Sequence, residues 1–271
     1  MHDLVHSLAT SLLSPDRDTV VVVTGAGISH ASGIATFRGA DPDAVWKSHD
    51  VSMATGDYFR RDPAGQWQWY LKRFDAVRHA EPNPAHKALV GLTEWLGDNG
   101  RSLHLVTQNI DTLHERAGSR DLIKVHGTSD RVRCSRIGCE MGSPVGSLPA
   151  DEVDFSVFVD DPRPETVPTC PACGSLLRAH VLFFDEYYLE HQDYRFAEVE
   201  ALAREADLLL FVGTSFSVGV TDLFLQSGRL AGIPMFSIDP TPRRGQPAAL
   251  TTLTAPAEEL LPAVLERLRT S

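Results

Sequence analysis

Short runs of aliphatic and β-branched residues recur along the chain at Thr19 to Val23, Leu103 to Val106, Leu122 to Val125, His180 to Phe183, Leu208 to Val212 and Met235 to Ile238. Runs of this length, bounded by Gly, Asn, Asp or Pro, are expected to be strands buried on both faces. Helical patterns lie between several of them, for example Leu89, Leu92 and Leu96, or Leu260, Leu261, Val264 and Leu268. The alternation predicts an α/β fold: a parallel, Rossmann-like sheet with helices on both faces, whose ligands sit beyond the carboxyl ends of the strands.

Two stretches interrupt the pattern. Phe37 to Pro84 shows no convincing strand but has Trp67, Trp69, Tyr70 and Phe74 at helical spacing, and Arg131 to Leu177 holds all four cysteines and six prolines. Both are expected to be insertions that form a smaller domain. The 271 residues then make one domain, with a Rossmann-like part over about 1–36, 85–130 and 178–271 and a small part from about 37–84 and 131–177. The formal charge of -11 disfavours direct nucleic-acid binding, which needs clustered cations. No apolar run approaches the roughly 18 residues of a membrane span, and the first residues, MHDLVHSLATSLL, lack the pattern of a secretory signal. A cytoplasmic location is therefore expected, where thiols stay reduced.

The first strand runs into Thr24-Gly25-Ala26-Gly27-Ile28-Ser29. Glycines between a strand and a helix let backbone N–H groups approach a diphosphate. The spacing departs from G-x-G-x-x-G, and no ribose-binding acid closes a strand about 20 residues on, so a hydride-transferring dehydrogenase is disfavoured. A plain tight turn is the competing reading. The next two strands end in Gln108-Asn109-Ile110-Asp111 and in His126-Gly127, which a parallel sheet brings to the same edge. Asp111 could equally cap a helix over Thr112 to Ala117 closed by Gly118, and His126 alone could be structural.

The cysteines fall in two close pairs, Cys134-x4-Cys139 and Cys170-x2-Cys173. Such pairs resemble a zinc ribbon, four thiolates closing a structural Zn2+ site; four unrelated buried thiols are the alternative.

Taken together, GAGISHASGIATFRG (25 to 39), TQNIDTLHERAG (107 to 118), VHGT (125 to 128), FFDE (183 to 186) and GTS (213 to 215) resemble the sirtuin family of NAD-dependent protein deacylases, and the likeness runs from about Val20 to Pro262. The resemblance implies removal of acetyl groups, with succinyl and malonyl as further candidates, NAD as co-substrate, an acyl-lysine protein or peptide as partner, and nicotinamide, free lysine and 2′-O-acyl-ADP-ribose as products. By motif, His126 is the expected base. Gly25, Ala26, Gly27, Ile28, Phe37, Arg38, Gln108, Asn109, Ile110, Asp111, Gly213, Thr214, Ser215, Asp239 and Ala257 are the expected NAD site. Val181, Phe184 and Val218 are expected along the peptide. Asp185 stands where the family usually has Gly, Asp239 where an Asn is common, and Val218-Gly219-Val220 replaces Val-Tyr-Pro.

Tyr70 and Arg73 share a helix face. With Ala54 they resemble the sirtuin subgroup that removes succinyl and malonyl groups: an acyl chain ending in carboxylate calls for a fixed cation and a hydroxyl, and the small Ala leaves room. The alternative packs Tyr70 with Trp67 and Phe74 and leaves Arg73 in solvent. For the whole chain, mono-ADP-ribosyl transfer at the same NAD site, or a non-catalytic NAD-sensing module, are the competing functions.

Overall fold

Val20 to Val23 are all inaccessible to solvent, and their alternation sorts them between two cores. Val20 and Val22 pack with Leu8, Leu89, Leu210 and Leu260, while Val21 and Val23 pack with Val199, Phe211 and Phe224. A strand with period two and helices on both faces must be apolar throughout. The structure is a computed structural model that describes residues 1–36, 51–242 and 249–271.

In chain order the elements are α1 (His2–Leu13), β1 (Thr19–Thr24), α2 (Gly56–Arg61), α3 (Pro63–His79), α4 (Pro84–Asp98), β2 (Ser102–Thr107), α5 (Leu113–Ala117), β3 (Ile123–Lys124), β4 (Gly127–Cys134), β5 (Leu148–Pro149), α6 (Ser156–Asp160), β6 (Leu177–Val181), α7 (Phe196–Glu205), β7 (Leu208–Val212), α8 (Gly219–Ala231), β8 (Met235–Ile238), β9 (Leu250–Leu253) and α9 (Ala257–Arg269). A six-stranded parallel sheet has the order β3-β2-β1-β7-β8-β9, and a three-stranded antiparallel sheet has β5-β4-β6. The large sheet reverses direction of strand order between β1 and β7, so its crevice opens beyond those two carboxyl ends.

Two expectations fail. The run His180 to Phe183 is not a parallel strand: β6 pairs antiparallel with β4, so residues 127–130 and 178–181 join the small sheet rather than the Rossmann-like one. Burial on both faces made β6 look like a parallel strand, because apolarity reports coverage and not partners. The sixth parallel strand is instead β9, whose two threonines and single partner among the described residues, β8, mark a half-covered edge.

The small sheet shares one core with α3. Trp67, Tyr70 and Phe74 pack with Val132, Cys134, Leu177 and Phe183, and the Trp67 indole donates to the Leu177 carbonyl at 2.8 Å. The helix begins where Asp62 accepts from Gly65 N at 2.8 Å and Pro63 occupies the first turn, so the aromatic stripe is held against the cysteine-bearing strands. Among the described residues no helix is long and apolar enough to cross a membrane.

Candidate active site

The turn after β1 is a 3-10 helix, Ala26–Ser32. Its glycines serve the backbone first. Gly25 N donates to Val212 O at 3.0 Å and Gly27 N to Gly213 O at 2.8 Å. A Cβ on Gly27 would lie 2.6 Å from Gly213 Cα, and one on Gly213, whose φ is +60°, would collide with Ile28 N. The turns after β1 and β7 thus meet backbone to backbone at the sheet's switch point. Ile28 and Ala257 bury their side chains in the core, and the Ile28 backbone is itself engaged, its N–H donating to Gly25 O at 3.1 Å and its carbonyl accepting from Asn83 Nδ2 at 2.7 Å. Ala26 is half-buried. Phe37 and Arg38 lie outside the described residues.

Gln108 reaches across the crevice, its Nε2 donating to Thr214 Oγ1 at 3.1 Å and to Thr24 O at 3.2 Å. Asn109 Nδ2 donates to Gly25 O and to Ser29 Oγ, each at 3.2 Å. Ser29 Oγ in turn donates to Asp111 Oδ2 at 3.0 Å, while Asp111 Oδ1 accepts from Leu113 N at 3.1 Å. The carboxylate therefore holds the first turn of α5 and is also tied to the glycine turn through Ser29. Burial raises its pKa against the opposing pull of Leu113 N–H, Ser29 and Lys124. Ser29, wholly buried, went unassigned in the sequence.

His126 Nδ1 lies 2.9 Å from the Gln108 carbonyl. A carbonyl only accepts, so Nδ1 carries the proton and Nε2 presents its lone pair. That lone pair faces the Tyr188 hydroxyl at 3.3 Å, and the two rings stack at 5.8 Å. Tyr188 also stacks on Phe196 at 4.4 Å. Burial pushes the imidazole down to about 4, so it is unprotonated in the neutral range. Tyr188 is a second residue that the sequence left unassigned; nothing in its spacing ties it to His126.

Of the remaining expected NAD contacts, Ser215 Oγ donates to Ser217 Oγ at 3.1 Å beside Gly213, and Asp239 Oδ1 accepts from Thr241 N at 2.8 Å past β8. The Ile110 carbonyl accepts from Ser129 N at 2.8 Å, and its side chain packs on the small-domain core. Val218 caps α8, Val181 ends β6, and Phe184 is exposed with its N–H on the Ala54 carbonyl at 3.0 Å.

Tyr70 is buried between Trp69, Phe74 and Phe183, and burial raises its pKa. Arg73 stacks its guanidinium 3.9 Å above the Trp69 ring, and its Nε and Nη2 are buried with no hydrogen-bond partner. Ala54 is buried in the same aromatic core. The neighbouring ion group is satisfied by contrast. Glu186 accepts from Arg178, from Arg133 and from Phe183 N, and although burial works against its charge these partners hold its pKa below the usual range.

The four cysteines converge. Cys134 and Cys173 sulfurs lie 3.4 Å apart, those of Cys139 and Cys170 lie 3.7 Å apart, and all four are within 4.8 Å of one another. A tetrahedral Zn2+ with bonds of about 2.3 Å sets its sulfurs about 3.8 Å apart, so the donors fit it and leave no open position. The longer first spacing is taken up by a turn through Gly138 at φ +79°.

A model of the Sir2 family matches residues 25–220. An NAD-dependent protein deacylase of Thermus thermophilus is 37% identical over 241 residues, which is 89% of this chain and 86% of that protein. A solved Sir2 homologue–NAD complex superposes with a TM-score of 0.79 at 30% identity, over 98% of this chain and 94% of the other. A mutant Sir2 homologue in complex with 2′-O-acetyl ADP ribose gives 0.78 at 31% identity, over 100% and 97%.

Proposed function

The chain belongs to the Sir2 family, and from that membership we infer that it is an NAD-dependent protein lysine deacylase. It consumes NAD and an acyl-lysine side chain and releases nicotinamide, the free lysine and 2′-O-acyl-ADP-ribose. Zn2+ is structural, held by Cys134, Cys139, Cys170 and Cys173.

The reaction breaks the bond between ribose C1′ and nicotinamide while the acyl oxygen of the modified lysine bonds to C1′. A ribose hydroxyl, losing its proton to a base, then attacks the acyl carbon, and water completes release of the lysine. In our reading the base is His126. The support is its tautomer: Gln108 O holds the proton on Nδ1, so Nε2 is a neutral acceptor, facing the Tyr188 hydroxyl. Asn109 and Asp111, cross-linked through Ser29, are rigid enough to orient a carboxamide, and Gln108, Gly213, Thr214 and Ser215 line the crevice where the nucleotide's ribose and diphosphate groups would be held.

We assign an acidic acyl group, succinyl or malonyl, to a site formed by Ala54, Tyr70 and Arg73. The observation that carries this is the guanidinium of Arg73, two of whose nitrogens are buried without a partner. Stacking on Trp69 offsets only part of the cost of burying that charge. A carboxylate at the end of the acyl chain would complete it, and an acetyl group could not. The test is a steady-state comparison of one peptide carrying acetyl, malonyl, succinyl or longer acyl groups. The expected result is a higher kcat/KM for the two acidic groups; a preference for acetyl would overturn the assignment. For the base, His126→Ala should abolish nicotinamide-coupled deacylation while NAD still binds by calorimetry, and near-normal turnover would remove His126 from that role.

A further inference from the structure

Away from the NAD crevice and the cysteines, two buried histidines and a carboxylate meet where the chain after β6 folds back over the small sheet. His180 lies on β6, and His191 and Asp193 lie in the segment before α7. His180 Nε2 is 3.1 Å and His191 Nδ1 3.6 Å from Asp193 Oδ2, and the three ligand atoms are all within 4.8 Å of one another. We propose that His180, His191 and Asp193 form a second metal site, one that takes a divalent transition-metal ion of the zinc type.

The donor set is right for such an ion: two imidazoles and one carboxylate, with one position left for water. Ligands held at about 2.05 Å in a tetrahedron stand about 3.4 Å apart, which falls between the two measured separations. His191 Nε2 is 3.0 Å from the Gly146 carbonyl, so it carries the proton and leaves the Nδ1 lone pair facing Asp193, the arrangement by which metal-bound histidines are oriented. That lone pair is otherwise met by Asp193 N–H at 3.2 Å, a long bond that an ion would replace. The His180 ring is clamped between His191, at 4.6 Å between centroids, and Tyr194, at 5.8 Å. Its Nδ1 is buried without a partner. A cavity of about 240 Å³ adjoins His180 and Asp193, lined also by Glu115 and Asp130, and gives the fourth position a route to water. Arg131 also lines this cavity, but its guanidinium is bound to Ser147 Oγ at 2.8 Å and to Ser147 O at 2.9 Å.

An ion here would fasten the loop from Leu182 to Asp193 at both of its ends. Tyr188, the neighbour of His126, lies in that loop.

The experiment is metal stoichiometry on the whole chain. Protein incubated with excess Zn2+ and passed through a desalting column should carry two zinc ions per chain by elemental analysis, and Asp193→Asn should carry one. The zinc kept by the cysteines, together with an unchanged circular dichroism spectrum, shows that the variant is folded. With Co2+ as the probe, the second equivalent should give d–d bands without the sulfur-to-metal charge transfer of the first. One metal per chain in the wild type, or a second equivalent that survives in both Asp193→Asn and His191→Gln, would mean that the trio is only a hydrogen-bonded carboxylate–imidazole cluster.

Discussion

Arg73 and Ser29 show what a residue type alone can and cannot announce. The Tyr-x-x-Arg spacing puts Tyr70 and Arg73 on one helix face; in the structure Tyr70 packs on Phe74, as the competing reading has it, while the half-buried Arg73 lays its guanidinium over Trp69. Burying a cation with two idle nitrogens makes a sharp forecast. Arg73→Met should lower kcat/KM on a succinyl-lysine peptide by roughly 10- to 100-fold, the worth of a charge-assisted hydrogen-bond pair, and change acetyl-lysine turnover far less. Equal losses on both peptides would place Arg73 outside the acyl site. Ser29 and Tyr188 were not legible, because their importance comes from neighbours 82 and 62 positions away along the chain.

Elements were legible where their own periodicity decided them. β1, four valines between threonines, and β7, apolar at every step, are central in the sheet, while α5 ends at Gly118 with φ +105°, as its sequence requires. Pairing was not legible: β6 is as buried as β7, yet its partner is β4. The departure at Asp185 also finds its reason at this scale. Its carboxylate accepts from Gly56 N at 2.7 Å and Asp57 N at 3.1 Å, so it binds the first turn of α2 to the loop after β6. With the Phe184–Ala54 backbone bond this fixes Ala54, the small residue of the proposed acyl site. Asp185→Ala should cost about 1 kcal/mol, as loss of a helix cap does. Scanning calorimetry would register that as a lower midpoint, and KM for the peptide should rise while KM for NAD stays; an unchanged midpoint would show that the link is idle.

For the molecule as a whole, buried imidazoles set the acid limit. His86 is inaccessible to solvent, packs 4.8 Å from the His114 ring, and burial lowers its pKa to about 4. The unfolded chain takes up that proton near pH 6.5, so the stability it supplies is intact above that value and is lost as pH falls toward 4. The loss is about 3 kcal/mol from this residue. Denaturant midpoints measured from pH 7 down to 4 should fall steeply for the wild type and less for His86→Leu; parallel curves would show that His86 is not the cause. Chelation should act on the other half of the molecule. The cysteines belong to the same core as Trp67, Tyr70 and Phe74, so stripping zinc should quench acyl-peptide binding and expose tryptophan before the parallel sheet melts. Tryptophan emission followed against far-ultraviolet dichroism would separate the two events, and simultaneous loss would mean one cooperative unit.

The backbone contact between Gly27 and Gly213 has a practical consequence for anyone exchanging parts among such enzymes. Each turn occupies the volume in which the other would need its side chain, so neither is a free-standing module, and no rotamer change can make space where main chain meets main chain. A nucleotide loop transplanted from a relative would have to travel with the turn after the fourth strand of the sheet order, as a matched pair, or arrive in a host that cannot close around it.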